Sequence, residues 1–167
     1  SGHKNPLAFA PQNGYNSDTH LVFRSDTQTL ECWYRPFYTP TLTAKLVRRT
    51  TTNGFDWTPA EEIQGIAGVL SPSIIFEDGR YKMWYPDSTK TIYSTVSELG
   101  NPQGWSMPVG KELNIQAWHM DVIRSEKGLE FFIQGWEEGK GSNYESDFFY
   151  LVGDDNVAVN VLDKHNL

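Results

Sequence analysis

The stretch SPSIIFEDGRYKMWY, which spans Ser71–Tyr85, decides the fold of this chain. It holds two runs rich in β-branched and aromatic residues, IIF and YKMWY, on either side of the turn sequence EDGR. Short apolar runs bounded by Asp, Gly or Pro are typical of antiparallel strands joined by a tight turn. The stretch therefore predicts a β-hairpin whose first strand begins at the polar sequence Ser-Pro-Ser.

Two further hairpins of the same kind lie about 50 residues to either side of this one. The first joins DTHLVF to LECWYRPF, the third joins HMDVIR to LEFFIQ, and another β-rich run follows each hairpin. The equivalent residues are Asp18, Ser71 and His119 at the strand openings, and Trp33, Trp84 and Phe132 on the second strands. The regular spacing indicates an internal repeat.

A repeat of about 50 residues with four strands is typical of a β-propeller blade. The outer segments are expected at NGFDWTP (53–59) and QGWSMP (103–108). We predict an all-β, propeller-like single domain over residues 1–167, with about three four-stranded blades at approximately 16–65, 66–116 and 117–162, and with residues 1–15 as the outer edge of a preceding blade. A β-sandwich with accidental spacing is the alternative.

Three blades are fewer than the four to eight that propellers typically contain. Either the chain is part of a longer polypeptide, or it forms a homo-oligomer that completes the ring, or the blades form an open stack. The sequence leaves these three possibilities open.

The composition argues against several classes of function. The chain of 167 residues has a net charge of −7, and its longest basic run is Arg48-Arg49, so we expect no nucleic-acid partner. No apolar stretch approaches the roughly 18 residues of a membrane helix, so no membrane partner is expected. The single cysteine, Cys32, excludes an intrachain disulfide. The aromatic content of 14% suits a β-rich core or a stacking surface for sugars.

Pairs of polar residues open the first strand of each unit. Residues two apart on a strand face the same side, and blade openings converge near the axis of a propeller. The pairs are Asp18 with His20, Ser71 with Ser73, and His119 with Asp121. They predict a polar funnel that binds a hydroxyl-rich ligand through hydrogen bonds. The alternative is that these groups cap turns and satisfy neighbouring backbone.

Two other side chains are candidates for ligand binding near the funnel. Trp118 precedes the third opening and could stack on a sugar ring, together with Trp136 and Tyr144 on the following loop. Arg35 ends a second strand and could bind a carboxylate or phosphate, or pair with one of the 21 acidic residues.

Four residues at the openings are competent metal ligands: His20, His119, Asp18 and Asp121. The sequence contains no fixed-spacing transition-metal motif, however, so we expect no metal and no cofactor. The alternative is a calcium ion held by Asp and carbonyl groups near the axis.

The repeat resembles the five-bladed propellers of the arabinanase, invertase and levansucrase glycoside hydrolases. The motifs SPSIIFEDGRYKMWY and WHMDVIRSEKGLEFF carry this resemblance, which extends from about residue 16 to residue 152. The segment NSDTHLVF with LECWYR also resembles uncharacterised propeller segments of bacterial and phage surface proteins.

The resemblance implies a catalytic triad of acids contributed by three successive blades: a base or nucleophile Asp, an orienting Asp and a general-acid Glu. In this sequence Asp18 and Asp121 are the carboxylates available at the openings, Ser71 stands at the middle opening, and no opening carries a Glu. Glycoside hydrolysis needs two carboxylates, one as acid and one as base or nucleophile. The resemblance therefore supports the fold more strongly than it supports catalysis.

These observations favour a non-catalytic, carbohydrate-recognising module with a glycan as its ligand. We expect an extracellular location, on a bacterial cell surface or on a virion. A glycoside hydrolase acting through Asp18 and Asp121 is one alternative, and a structural assembly module is the other.

Overall fold

The computed structural model describes residues 6–137, 139–140, 145–153 and 165–166 of the chain. These residues form thirteen strands in three antiparallel sheets and contain no helix. The described residues accordingly hold no helix that could cross a membrane. The sheets confirm the prediction of an all-β protein built from three propeller-like blades.

Each sheet follows the order of the chain from its innermost to its outermost strand. The first sheet contains β1 (Gly14–Arg24), β2 (Thr29–Tyr38), β4 (Val47–Thr51) and β5 (Glu61–Glu62), with β3 (Thr43–Ala44) beside β2. The second contains β6 (Ser73–Glu77), β7 (Arg80–Pro86), β8 (Thr91–Val96) and β9 (Val109–Glu112). The third contains β10 (Ile115–Ser125), β11 (Gly128–Glu137), β12 (Asp147–Gly153) and β13 (His165–Asn166).

The hairpin that decided the fold is formed by β6 and β7. Glu77 pairs with Arg80, so the loop consists of Asp78 and Gly79 alone. Both loop residues have positive φ, 51° and 72°, as a type I′ turn requires. The Asp-Gly sequence therefore sets the register of the central blade.

Large aromatic side chains of the second strands form the cores between blades. Trp33 on β2 is fully buried and lies 5.4 Å, ring centre to ring centre, from Tyr81 of the second blade. Trp84 on β7 is likewise buried, and its ring meets the ring of Phe131 edge-on at 6.0 Å. These tryptophans therefore belong to the cores between blades.

Buried ionic contacts also join neighbouring blades. Glu31 is 1% exposed and accepts hydrogen bonds from Trp33 Nε1 (2.9 Å), Arg48 (2.9 Å) and the Tyr81 hydroxyl (2.8 Å). Burial, and then the charge of Glu31, raise the pKa of Tyr81 to about 12. Polar groups buried at this depth are stable only when they are paired, as they are here.

The second and third blades are joined by a carboxylate between two cations. Glu77 accepts a 2.6 Å hydrogen bond from Arg124 and another of 2.6 Å from Lys82. These contacts, with the Arg124 hydrogen bond as the largest, lower the pKa of Glu77 to about 2.

The predicted outer segments at 53–59 and 103–108 lie along the outer edge of their blades, where the Thr58 N–H donates to the Thr50 carbonyl and Trp105 forms a bridge with Ser97, but neither is a regular strand. The outermost strands of the first two blades come later, at 61–62 and 109–112. The backbone N–H groups of Phe55 and Asp56 donate to Asn53 Oδ1 at 2.8 and 2.9 Å, and the N–H of Gly54 donates to Thr51 Oγ1. Local side-chain acceptors therefore hold this segment in a turn and compete with strand pairing.

The described part of the amino-terminal segment packs on the first blade. Leu7 and Ala8 lie against the cluster formed by Cys32, Tyr34 and Val47. The first five residues lie outside the described part of the chain. That residues 1–15 form the outer edge of a preceding blade stays a prediction.

Candidate functional site

The polar residues predicted at the blade openings meet where β6 begins, beside the bulges in the middle of β1 and β10. The strands β1 and β10 begin at Gly14 and Ile115, four residues before the openings that the sequence predicted at Asp18 and His119. Two side-chain hydrogen bonds between the second and third blades define the meeting point. Ser71 Oγ lies 2.9 Å from His119 Nδ1, and Ser73 Oγ donates to Asp121 Oδ1 at 2.8 Å. We call the seven residues that meet here, in two contacting groups, the polar cluster: Asp18, His20, Arg35, Ser71, Ser73, His119 and Asp121.

The backbone at the openings departs from regular strand geometry. Asp18 and Ser71 have φ values of 54° and 41°, in the left-handed region that non-glycine residues rarely enter. The pairing of β1 with β2 shifts register between Ser17 and His20, and that of β10 with β11 shifts between Ala117 and His119. Such bulges turn side chains away from the normal alternation, and they are common beside functional sites.

One branch of the cluster contains an ion pair. The Asp18 side chain is 6% exposed and accepts hydrogen bonds from Arg35 and from Ser17 Oγ. Its other oxygen, Oδ1, lies 3.6 Å from His119 Nδ1. The acidic partner of Arg35, which the sequence did not identify, is therefore Asp18. The His119 imidazole, on the third blade, contacts this buried ion pair.

The other branch is organised by Ser73, which is fully buried. Its hydroxyl donates to Asp121 and accepts the backbone N–H of Val122 at 2.8 Å. His20 Nε2 lies 2.9 Å from the carbonyl oxygen of Ile74, so this nitrogen carries the proton, because a carbonyl can only accept. His20 Nδ1 faces Asp121 Oδ1 at 3.8 Å.

The cluster has a buried base and an exposed upper edge. Arg35, Ser71 and Ser73 are largely buried, as is the carboxylate of Asp18. The side chains of His119 and Asp121 are 45% and 58% exposed. A ligand above the cluster would meet an imidazole and a carboxylate that the buried residues hold in place.

Trp118 lies beside this exposed edge. It is half-buried on β10 and falls at the bulge between Ala117 and His119. Its ring centre is 5.9 Å from that of His119, with the two planes at 77°. Trp136 is half-buried on β11, and Tyr144 lies outside the described residues.

The described residues offer no group of three or more His, Cys, Asp or Glu side chains that could hold a metal ion. The polar cluster brings its two histidines and two aspartates together only as separate pairs. The calcium ion considered from the sequence therefore has no such group to bind among these residues.

A separate hollow of about 300 Å³ lies on the other face of the first blade, under the amino-terminal segment. Its cationic side chains are already paired, because Lys45 contacts Glu62 at 2.6 Å and Arg49 donates to the Tyr34 hydroxyl. It shares no residue with the polar cluster. We assign no function to this hollow.

The sequence did not identify two backbone groups that complete the cluster, the Ile74 carbonyl and the Val122 amide. It also did not single out Ser17, which donates to Asp18. Their positions inside strands, or directly beside Asp18, carry no compositional signal. Only the register of neighbouring strands shows that they take part.

Solved structures share this fold, although no protein-family model and no curated protein matches the chain. An N-acetylgalactosamine deacetylase from F. plautii, in complex with blood group B trisaccharide, superposes with a TM-score of 0.72 at 16% identity, covering 93% of this chain and 54% of that chain. An α-L-arabinanase from Penicillium chrysogenum, complexed with arabinobiose, superposes with a TM-score of 0.59 at 14% identity, covering 83% of this chain and 45% of that chain. The phage phi92 endosialidase superposes with a TM-score of 0.55 at 15% identity, covering 92% of this chain and 26% of that chain.

These similarities confirm the expected resemblance to propeller glycoside hydrolases at the level of the fold. The chain spans about half the length of the first two of these structures. A partial propeller of three blades fits that coverage.

Proposed function

We propose that the polar cluster is the glycan-binding site of a propeller module and that the described residues do not perform catalysis. The observation that carries the proposal is the contact between polar residues of three different blades, where β6 begins and beside the bulges of β1 and β10. Residues that served only as local turn caps would contact their own blade, whereas Ser71, Ser73 and Asp18 each contact the third blade.

The chemistry of the cluster suits sugar hydroxyl groups. A hydroxyl both donates and accepts, so it can donate to the exposed Asp121 carboxylate and exchange a hydrogen bond with His119. The ring of Trp118, next to His119, offers an apolar face for the C–H side of a sugar. Fold similarity to proteins that were solved with a trisaccharide or with arabinobiose supports this choice of ligand class.

The contacts of the two carboxylates argue against hydrolysis by these residues. Glycosidases need one carboxyl group that donates a proton and another that attacks or activates water. Asp18 is buried against Arg35 and has little access to a substrate. Asp121 accepts hydrogen bonds from Ser73 and from the Val122 N–H, so it is held as an acceptor.

A glycan array provides the test. We expect the wild-type chain to bind a subset of the glycans, and Asp121→Asn to lose that binding because its amide no longer supplies two acceptor oxygens. Glu126→Gln is the matched control, since Glu126 is exposed in the β10–β11 turn, just beyond the end of the strand that carries Asp121. Equal array signals for wild type and Asp121→Asn would contradict the proposal, as would no binding by the wild type.

A glycoside hydrolase is the second candidate, because the chain has the fold of such enzymes and spans about half of the arabinanase. In this case blades outside the chain would supply the missing acids. Release of reducing sugar from a polysaccharide, abolished by Asp18→Asn, would establish it. Either function fits our proposal of an extracellular location, on a cell surface or a virion.

A further inference from the structure

The two end blades expose apolar side chains on the faces that point away from the central blade. On the first blade these residues are Leu21 (58% exposed) and Phe23 (56%), which form face A. On the third blade they are Ile123 (44%), Phe132 (36%) and Phe148 (62%), which form face B. The internal repeat shows what covers such faces.

Face A contains Leu21, which is exposed although the equivalent residues of the other two blades are buried. Leu21 pairs with Cys32, as Ile74 pairs with Met83 and Val122 pairs with Phe131, so Leu21, Ile74 and Val122 are equivalent. Ile74 and Val122 are each 2% exposed, because a neighbouring blade packs on them. Leu21 has the same apolar character but is 58% exposed, and no blade formed by the described residues packs on it.

Face B corresponds to the other side of the blade–blade interface, the side that the earlier of two neighbouring blades contributes. Trp33, Trp84 and Phe132 are equivalent by the repeat, and their exposed fractions are 0%, 4% and 36%. The first two are covered by the blade that follows them in the chain. Phe132 instead contacts Tyr150 of its own sheet.

We infer that a second copy of this chain covers these faces, with face A of each copy against face B of the other. The contact is a continuation of the two blade–blade interfaces already present within the chain. Each chain carries both halves of that interface, so one twofold axis generates two identical contacts and leaves no open end. The inference does not depend on glycan binding.

Size is consistent with this arrangement. Two copies together hold six blades, within the four to eight of typical propellers. The chain spans 54% of the deacetylase and 45% of the arabinanase, so two copies supply about as much chain as one of those proteins. Leu7 and Ala8 already cover the outer part of the first blade, so the new contact falls on the inner strand β1.

Light scattering during size-exclusion chromatography tests the inference. We expect the wild-type chain to have twice the 19.0 kDa mass of one copy. Leu21→Lys and Phe132→Lys should each give the single-chain mass, since each places a charge in both contacts. Met107→Lys is the control, because Met107 is 87% exposed on the central blade and belongs to neither face. Circular dichroism establishes that each variant is folded.

Mixing the two monomeric variants, once circular dichroism has established that both are folded, tests the pairing of faces; Ile123→Lys on face B replaces Phe132→Lys, and Phe23→Lys on face A replaces Leu21→Lys, if either folds poorly. Leu21→Lys retains face B and Phe132→Lys retains face A, so the mixture should form a dimer through one intact contact. A wild-type monomer, an open-ended polymer, a dimer that persists in either variant, or a mixture that stays monomeric would each overturn the inference.

Discussion

Ser71 Oγ and His119 Nδ1 are 2.9 Å apart in space and 48 residues apart in sequence. The separation is one period of the repeat, so two equivalent blade openings contact each other directly. Ser73 and Asp121 are in contact at the same separation of 48 residues. The polar cluster thus arises because the repeat places a polar pair at each opening and the fold brings successive openings together.

Replacement of Ser73 by Ala should destabilise the protein. The Ser73 hydroxyl is fully buried and links Asp121 to the backbone of Val122. Its removal deletes a hydrogen bond to the half-exposed Asp121 and one from the Val122 N–H, which keeps Asp121 Oδ1 as an acceptor, so we expect the loss of ordinary hydrogen bonds, about 0.5–1.5 kcal/mol. We expect the free energy of unfolding in urea to fall by about this amount.

Ser25→Ala is the matched control for that measurement, because Ser25 is exposed in the β1–β2 turn. Its effect should stay within about 0.5 kcal/mol, as is usual for surface substitutions. Equal stabilities for the two variants would show that the Ser73 hydroxyl is not a structural link in the cluster.

Glu31→Ala should be more damaging than Tyr81→Phe. The first change removes the carboxylate that Arg48, Trp33 and Tyr81 share, and breaking a buried ion pair typically costs about 3–5 kcal/mol. The second removes one hydroxyl, for which about 1 kcal/mol is typical. Urea unfolding of both variants measures the difference. The reverse order would contradict the central place of Glu31 between the first two blades.

Acid should weaken the contact between the second and third blades through Glu77. Its pKa is about 2 in the folded protein, against an ordinary value of 4.5. Because the folded pKa is the lower one, the stabilisation is present above pH 4.5 and is lost as the pH falls towards about 2. Partial exposure of the side chain and screening by salt reduce its size.

The unfolding free energy of the wild type should therefore fall more steeply with acid over this range than that of Glu77→Gln. Arg124→Gln removes the largest cause of the low pKa and should also flatten the pH dependence. If Glu77→Gln has the same slope as the wild type, the ion pairs of Glu77 do not contribute to acid sensitivity.

The repeat in the sequence predicted the hairpins and the polar pairs of the three units. It did so because strand alternation and turn formation depend on residues that are close in sequence, and because the same pattern occurs three times. The predicted outer segments do lie at the blade edges, but the regular outer strands come a few residues later, since the Asn53 side chain accepts hydrogen bonds from the backbone at 55 and 56. Local polar competition of this kind is not visible in hydrophobic patterning.

The hydrogen-bond and ion-pair partners within the polar cluster could not be predicted from the sequence. Arg35 had 21 acidic residues as possible partners, and only the left-handed backbone at Asp18 and the adjacent register shift bring these two together. The exposure of faces A and B was equally hidden. Leu21 and its buried equivalent Ile74 have the same apolar character, so the sequence does not show which of them has a neighbour.

The most direct test of glycan recognition is calorimetric titration of the glycan selected on the array. We predict that His119→Ala weakens binding about ten-fold or more, as expected for a side chain that contacts the ligand, whereas Glu126→Gln leaves the affinity unchanged. Equal affinities for the wild type and His119→Ala would contradict the assignment of the polar cluster as the binding site.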